Sequence, residues 1–189
     1  LCDTVWFHFT GITPALGDNV AEICLDAVKA CRAKGIKISC DLNFRKNLWT
    51  SEKAGKVMGE LMQYVNVCIA NEEDADKVFG IKPDHNDVDS GKLNREGYID
   101  VAKKLSERFG CEKVAITLRE SISANDNNWA AMLYDGEKAY FSKKYAVHIV
   151  DRVGGGDSFS GGIIHGLLTK PNQGAALEFA VAASALKHT

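Results

Sequence analysis

Proline, methionine and tryptophan are scarce in this chain of 189 residues, at three of each. So little proline argues against a Pro-rich or low-complexity architecture and leaves most of the chain open to helices and strands. No apolar run approaches the ~20 residues of a spanning helix, so no membrane partner is expected. Charge of one sign is missing too. The 23 Lys and Arg are interspersed with 25 Asp and Glu, a net charge of −2, which offers no electrostatic case for nucleic acid or an anionic membrane. Cys2, Cys24, Cys31, Cys40, Cys68 and Cys111 form no C-x-x-C pair and have no histidine at ligand spacing, so zinc has no support. Buried, reduced thiols in a cytoplasmic protein are the expectation. Neither an initiator Met nor a basic leader stands before Leu1-Cys2-Asp3, an abrupt opening that suggests a piece of a longer chain.

What is present is an alternation of strand-like and helix-like segments. Val5 to Phe9 reads as a short buried strand, with His8 as a core histidine. Asp18 or Asn19 can cap a helix whose apolar positions are Val20, Ile23, Cys24, Ala27, Val28 and Cys31. Ile36 to Cys40 follows as a second strand and completes a β-α-β unit, the building block of parallel sheets. A helix capped by Ser51 and running to about Tyr64, a strand at Val65–Ala70, a helix at Tyr98–Phe109 and a strand at Val114–Leu118 repeat the pattern. Pro83 to Glu96 is a polar connector, and Asp87, Asp89 and Gly91 do not reproduce a calcium loop. Trp129–Tyr134, a turn at Asp135-Gly136 and Lys138–Phe141 predict an antiparallel hairpin. Two helices end the chain. The first carries Phe159, Ile163, Ile164, Leu167 and Leu168 on one side, with Gly161 and Gly162 allowing close packing; the second is Ala-rich and runs from about Gln173 to Lys187.

Four polar clusters fall at strand ends, where ligands gather in open parallel sheets. Asp41, Asn43 and Arg45 alternate with Leu42 and Phe44, which in an extended segment places them on one side. Arg45 is a fork donor suited to carboxylate or phosphate, and a surface salt bridge is the plainer alternative. Asn71 and Asp74 share a face of a first helical turn and could hold a hydrated Mg²⁺ or simply cap that helix. Arg119-Glu120-Ser121 forms the third cluster. In the fourth, Asp151-Arg152-Val153-Gly154-Gly155-Gly156-Asp157, three glycines open an apolar helix and so build an anion site from backbone N–H groups. Asp157 would repel a phosphate there, so it is better explained as a general base or metal partner; a capping Asp is the alternative.

These residues resemble the ribokinase-like (PfkB) carbohydrate kinases. The run from Asp151 to Asp157 is similar to that family's D-T-x-G-A-G-D signature, Asn71-Glu72-Glu73-Asp74 to its N-x-x-E magnesium motif with Asp for the final Glu, and Thr117-Leu118-Arg119 to its T-L-G with Arg for Gly. Within the family, Arg152, the stretch Asp41 to Arg45 with Leu48-Trp49, and Trp6 to Phe9 before Gly11-Ile12 look most like the kinases of 2-keto-3-deoxygluconate. The resemblance implies a three-layer α/β/α fold with a mainly parallel sheet and an antiparallel hairpin. It implies residues 1–189 as a single partial domain, the nucleotide-side core without the N-terminal part and lid. It implies ATP-dependent phosphorylation of a sugar-acid hydroxyl, with neutral-sugar kinases and a silent nucleotide-binding paralogue as alternatives. Asp157 would be the base and Gly154, Gly155 and Gly156 the anion hole. Asp41, Asn43 and Arg45 would bind the sugar acid, Arg119 and Ser121 with Gly154 and Gly156 the nucleotide, and Asn71 and Asp74 would hold Mg²⁺ largely through water. A monovalent cation near Asp151 and homo-oligomerisation of the full-length protein are left open. Without a lid the fragment alone should be weak or inactive.

Overall fold

The computed structural model describes residues 3–71, 73–84 and 95–189. Cys2, Glu72 and the connector positions Asp87, Asp89 and Gly91 lie outside the described residues. Two compact units divide the chain, Leu1–Ala115 and Ile116–Thr189.

In the first unit, β1 (Trp6–Thr10), β2 (Lys37–Asp41) and β3 (Val67–Asn71) run parallel, with Phe9 opposite Cys40 and Cys40 opposite Cys68. The strand order is β1-β2-β3-β4, where β4 (Lys113–Ser121) crosses the boundary between units. Around these strands stand α1 (Ile12–Ala15), α2 (Asp18–Ala33), α3 (Ser51–Leu61) with a 3-10 turn at Met62–Tyr64, α4 (Asp74–Phe79) and α5 (Arg95–Phe109). β2 and β3 read as continuous apolar runs because both faces are covered: Ile38, Cys40, Cys68 and Ile69 are buried, as parallel sheets require.

Several expectations shift. β1 is an edge strand on which only Phe9 is buried, and His8 is exposed, its Nδ1 2.8 Å from the Ser39 hydroxyl. Asp18 is not a cap but the first residue of α2; Gly17 holds the cap position. Ile23 is 64% exposed, because the buried stripe of α2 narrows to Cys24, Val28 and Cys31. Thr50, rather than Ser51, caps α3 by accepting the Lys53 N–H at 3.2 Å. Cys24, Cys31, Cys40, Cys68 and Cys111 are free and buried. Burial pushes the Cys40 and Cys68 thiols well up, and Cys111 up to about 12.

In the second unit, β4 neighbours β5 (Asp126–Tyr134). β5 pairs antiparallel with β6 (Ala139–Phe141) at its end and with β7 (Tyr145–His148) at its start. Gly136, at φ 96°, turns the hairpin. β7 leads to α6 (Gly155–Thr169), which packs along α7 (Gln173–His188). Their close approach rests on Gly162 and Gly166, where a Cβ would come within 2.8 Å of the Ala180 and Ala176 Cα atoms. Gly161 does not share this role, since a Cβ there would meet nothing within 4 Å beyond its own stretch of helix, and Leu168 is exposed. Among the described residues no helix is long and apolar enough to cross a membrane.

Candidate active site

The parallel run of β1, β2 and β3 sends the chain out of each strand at the same edge, and two of the four clusters sit there in the first unit. Asp41 closes β2 and is buried, while residues 42–45 leave the strand without regular structure. Asn43 adopts φ 37°, a left-handed value that Asn tolerates better than most residues, and its Nδ2 donates to Thr10 Oγ1 at 3.2 Å. That turn breaks the extended alternation. Asp41, Asn43 and Arg45 therefore grade from buried through half-buried to exposed instead of forming a row.

Asn71 and Asp74 are brought together. Asn71 Oδ1 accepts the N–H groups of Glu73 and Asp74 at 2.9 and 3.0 Å. Asp74 returns the contact, its Oδ2 accepting from Asn71 N at 3.1 Å and its Oδ1 from Phe44 N at 3.2 Å. This is the reciprocal logic of a capping box, extended to the loop that carries Arg45. Asp74 is 3% exposed, and burial raises its carboxyl above the ordinary value, against the opposing pull of the Asn71 and Phe44 bonds and of the Arg45 charge. Each carboxylate oxygen already accepts one N–H and the side chain is buried, which leaves Asp74 poorly placed for direct ligation of a metal. A hydrated Mg²⁺ met through its own waters does suit the oxygen donors present.

In the second unit Arg119 and Ser121 belong to β4 itself, which outruns its expected end by three residues. Alternation puts both on one face and Glu120 on the other, where Asn128 Nδ2 and Lys144 Nζ bond it at 2.9 and 2.8 Å.

The glycine turn is pinned before it reaches the helix. Val150 N and Asp151 N donate to the His188 carbonyl at 2.8 and 3.3 Å. Asp151 Oδ1 accepts from Val153 N at 2.9 Å and Oδ2 from Lys187 Nζ at 3.2 Å, which together hold its carboxyl below the ordinary value. The carboxylate that could draw a monovalent cation thus already has a positive partner. The Arg152 guanidinium donates to the Ala124 carbonyl. Gly154, at φ 79°, takes the left-handed conformation and occupies the N-cap of α6. Asp157 stands exposed in the first turn, its Oδ2 4.0 Å from where a Gly154 Cβ would be. The unpaired N–H groups and positive dipole end of a fifteen-residue helix thus lie beside an available carboxylate.

The ties from Lys187 and His188 were invisible along the sequence, because the partners are 36 or more residues apart and the helix ending shows no motif.

A parallel sheet with polar clusters at its strand ends makes this an α/β protein, and a glycine-rich helix start is a setting suited to an anion such as phosphate. The pfkB family carbohydrate kinase pattern matches residues 6–189, and the chain belongs to that family. It is 49% identical to the 2-dehydro-3-deoxygluconokinase of Thermotoga maritima, whose crystal structure superposes with a TM-score of 0.90 over 98% of this chain and 54% of that one. A PfkB family carbohydrate kinase from Listeria grayi is 30% identical, with a TM-score of 0.84 over 98% of this chain and 55% of that one. A 2-dehydro-3-deoxygalactonokinase from Haloferax volcanii is 28% identical across 99% of this chain and 52% of its own length. The chain spans about half the length of these relatives.

Proposed function

We propose that the full-length protein transfers the γ-phosphoryl group of ATP to a hydroxyl of a sugar acid, with 2-keto-3-deoxygluconate going to its 6-phosphate. The observation that carries this reading is Asp157, an exposed carboxylate in the first turn of α6 beside the left-handed Gly154. Asp157 takes the proton of the attacking hydroxyl as the new O–P bond forms and the bond to the ADP oxygen breaks. The N–H groups of Gly154, Gly155 and Gly156 stabilise charge on the phosphoryl oxygens as it passes.

Arg119 and Ser121, on one face of the end of β4, are assigned to the nucleotide. Asp41, Asn43 and Arg45 are assigned to the sugar acid, with Arg45 as the fork donor for its carboxylate. Mg²⁺ would neutralise phosphate charge, with Asn71 and Asp74 touching it only through water. The sugar-acid names of the Thermotoga and Haloferax relatives support the substrate class.

Coupled ADP release by the full-length protein over a panel of sugars tests the reading. Turnover is expected with 2-keto-3-deoxygluconate and not with fructose or ribose. Equal turnover of neutral sugars would move the protein to another branch of the family, and no turnover would make it a silent nucleotide binder. Arg45→Ala should raise the KM for 2-keto-3-deoxygluconate while the KM for ATP stays unchanged; an equal rise for both would remove Arg45 from the carboxylate role.

A further inference from the structure

The last turn of α7 touches the glycine turn through side chains as well as through the His188 carbonyl. Ser184, fully buried, donates its hydroxyl to the Gly155 carbonyl at 2.7 Å. The His188 imidazole, 7% exposed, covers Gly155 itself: a Cβ there would lie 2.5 Å from Cε1 and closer still to Nε2. Two contacts hold that ring. Its Nδ1 is 2.7 Å from the Ser184 carbonyl, and a carbonyl only accepts, so this nitrogen carries the proton. The Trp129 ring lies 5.0 Å away, tilted by 55°.

Neighbouring glycines therefore exist for different reasons. Gly154 needs its left-handed φ of 79°. Gly155 is not among the positive-φ glycines; it lacks a side chain because the His188 ring fills that volume.

We propose that His188, together with Ser184, is a positioning residue for phosphoryl transfer. Resting on the kinase reading above, the inference is that the pair fixes Gly155 from behind. Gly155 in turn sets the direction of the first N–H donors of α6 and, two residues on, of the Asp157 carboxylate. Both side chains act through the Gly155 backbone: Ser184 grips its carbonyl, and His188 limits where its Cα can sit.

The test uses the full-length protein, with steady-state kinetics on 2-keto-3-deoxygluconate and ATP beside thermal melting. Misplacing a reacting group by about 1 Å costs up to about 10²-fold. Ser184→Ala and His188→Ala are therefore expected to lower kcat by about 10- to 100-fold while both KM values stay within about twofold. Gly155→Ala should be worse, because its methyl meets the ring. Adding His188→Ala to it removes the overlap and should recover kcat by at least about fivefold. The readout that a purely structural histidine would not move is the loss of kcat per folded molecule, with unchanged KM, in His188→Ala alone. Should His188→Ala fail to fold, His188→Asn keeps a donor near the Nδ1 position while removing the ring, and should show the same kcat loss. Unchanged kcat with only a lower melting temperature would overturn the positioning role, as would a double variant no better than Gly155→Ala. A wild type that turns over no sugar would instead overturn the kinase reading.

Discussion

The Asp74 carboxylate accepts the Asn71 N–H at 3.1 Å while the Asn71 side chain accepts the Asp74 N–H at 3.0 Å, so each residue caps the other's backbone. A third bond, from Phe44 N, makes the same carboxylate the anchor of the loop after β2. Asn in place of Asp74 can accept at only one atom and leaves a buried N–H facing an amide. Asp74→Asn should therefore cost about 1–3 kcal/mol at neutral pH, read by urea or thermal unfolding.

The pH dependence of that loss has a definite sign. Burial raises the Asp74 carboxyl above 3.8, so the folded state holds this proton more tightly than the unfolded one. The group's stabilisation is fully present below the unfolded value and is lost as pH rises through the folded one. Asparagine has no such term. The gap in stability between wild type and Asp74→Asn should thus widen as pH is lowered from 7 towards 3, and a gap that narrows would contradict the raised value.

Asn66 ties the opposite end of the strands. Its Oδ1 accepts the buried Ile38 N–H at 2.9 Å, and its Nδ2 donates at 2.8 Å to Glu112, which also bonds Lys37 at 2.6 Å. Asn66→Ala leaves the Ile38 N–H without that acceptor, at a cost of about 1–3 kcal/mol. Because Asn66 precedes β3 while the candidate ligand groups follow the strands, kcat per folded molecule of the full-length protein should not change.

For Asp157 the prediction is a loss of chemistry without a loss of binding. Asp157→Asn keeps the size of the side chain and removes the proposed base, a change that typically costs about 10²–10⁴-fold in rate. ATP affinity of the full-length protein by calorimetry should be retained or improved, since in the proposed arrangement the substitution removes a negative charge from beside the phosphates. Near-normal turnover would take the base role away from Asp157.

Much of this was legible in the sequence because it is local. The β-α-β order followed from periodicity, the hairpin from Asp135-Gly136, and the tight turn into α6 from consecutive glycines opening an apolar helix. What was not legible depends on partners distant in the chain or on a single backbone angle. Nothing near Ser184 or His188 announces Gly155, 29 residues upstream of the serine. The left-handed turn at Asn43 undid an alternation argument that holds only for extended backbone. β7 was missed because Tyr145 to His148 is too short, at four residues, to stand out until β5 is there to pair with it.

The glycines of α6 give the sharpest stability contrast, because one helix holds both kinds. At Gly166 a new methyl would meet the Ala176 Cα and carbonyl oxygen, each at 2.8 Å, and backbone cannot turn aside as a side chain can. Gly166→Ala must push α6 and α7 apart, and overpacking of this sort costs about 1–3 kcal/mol. At Gly161 the same methyl would meet nothing within 4 Å beyond its own stretch of helix, so it has free space. There the substitution restricts the unfolded chain and favours the helix, a gain of about 0.4–1 kcal/mol. Melting curves of the two variants should move in opposite directions from wild type. Equal shifts would mean that the glycines are not what sets the distance between the helices.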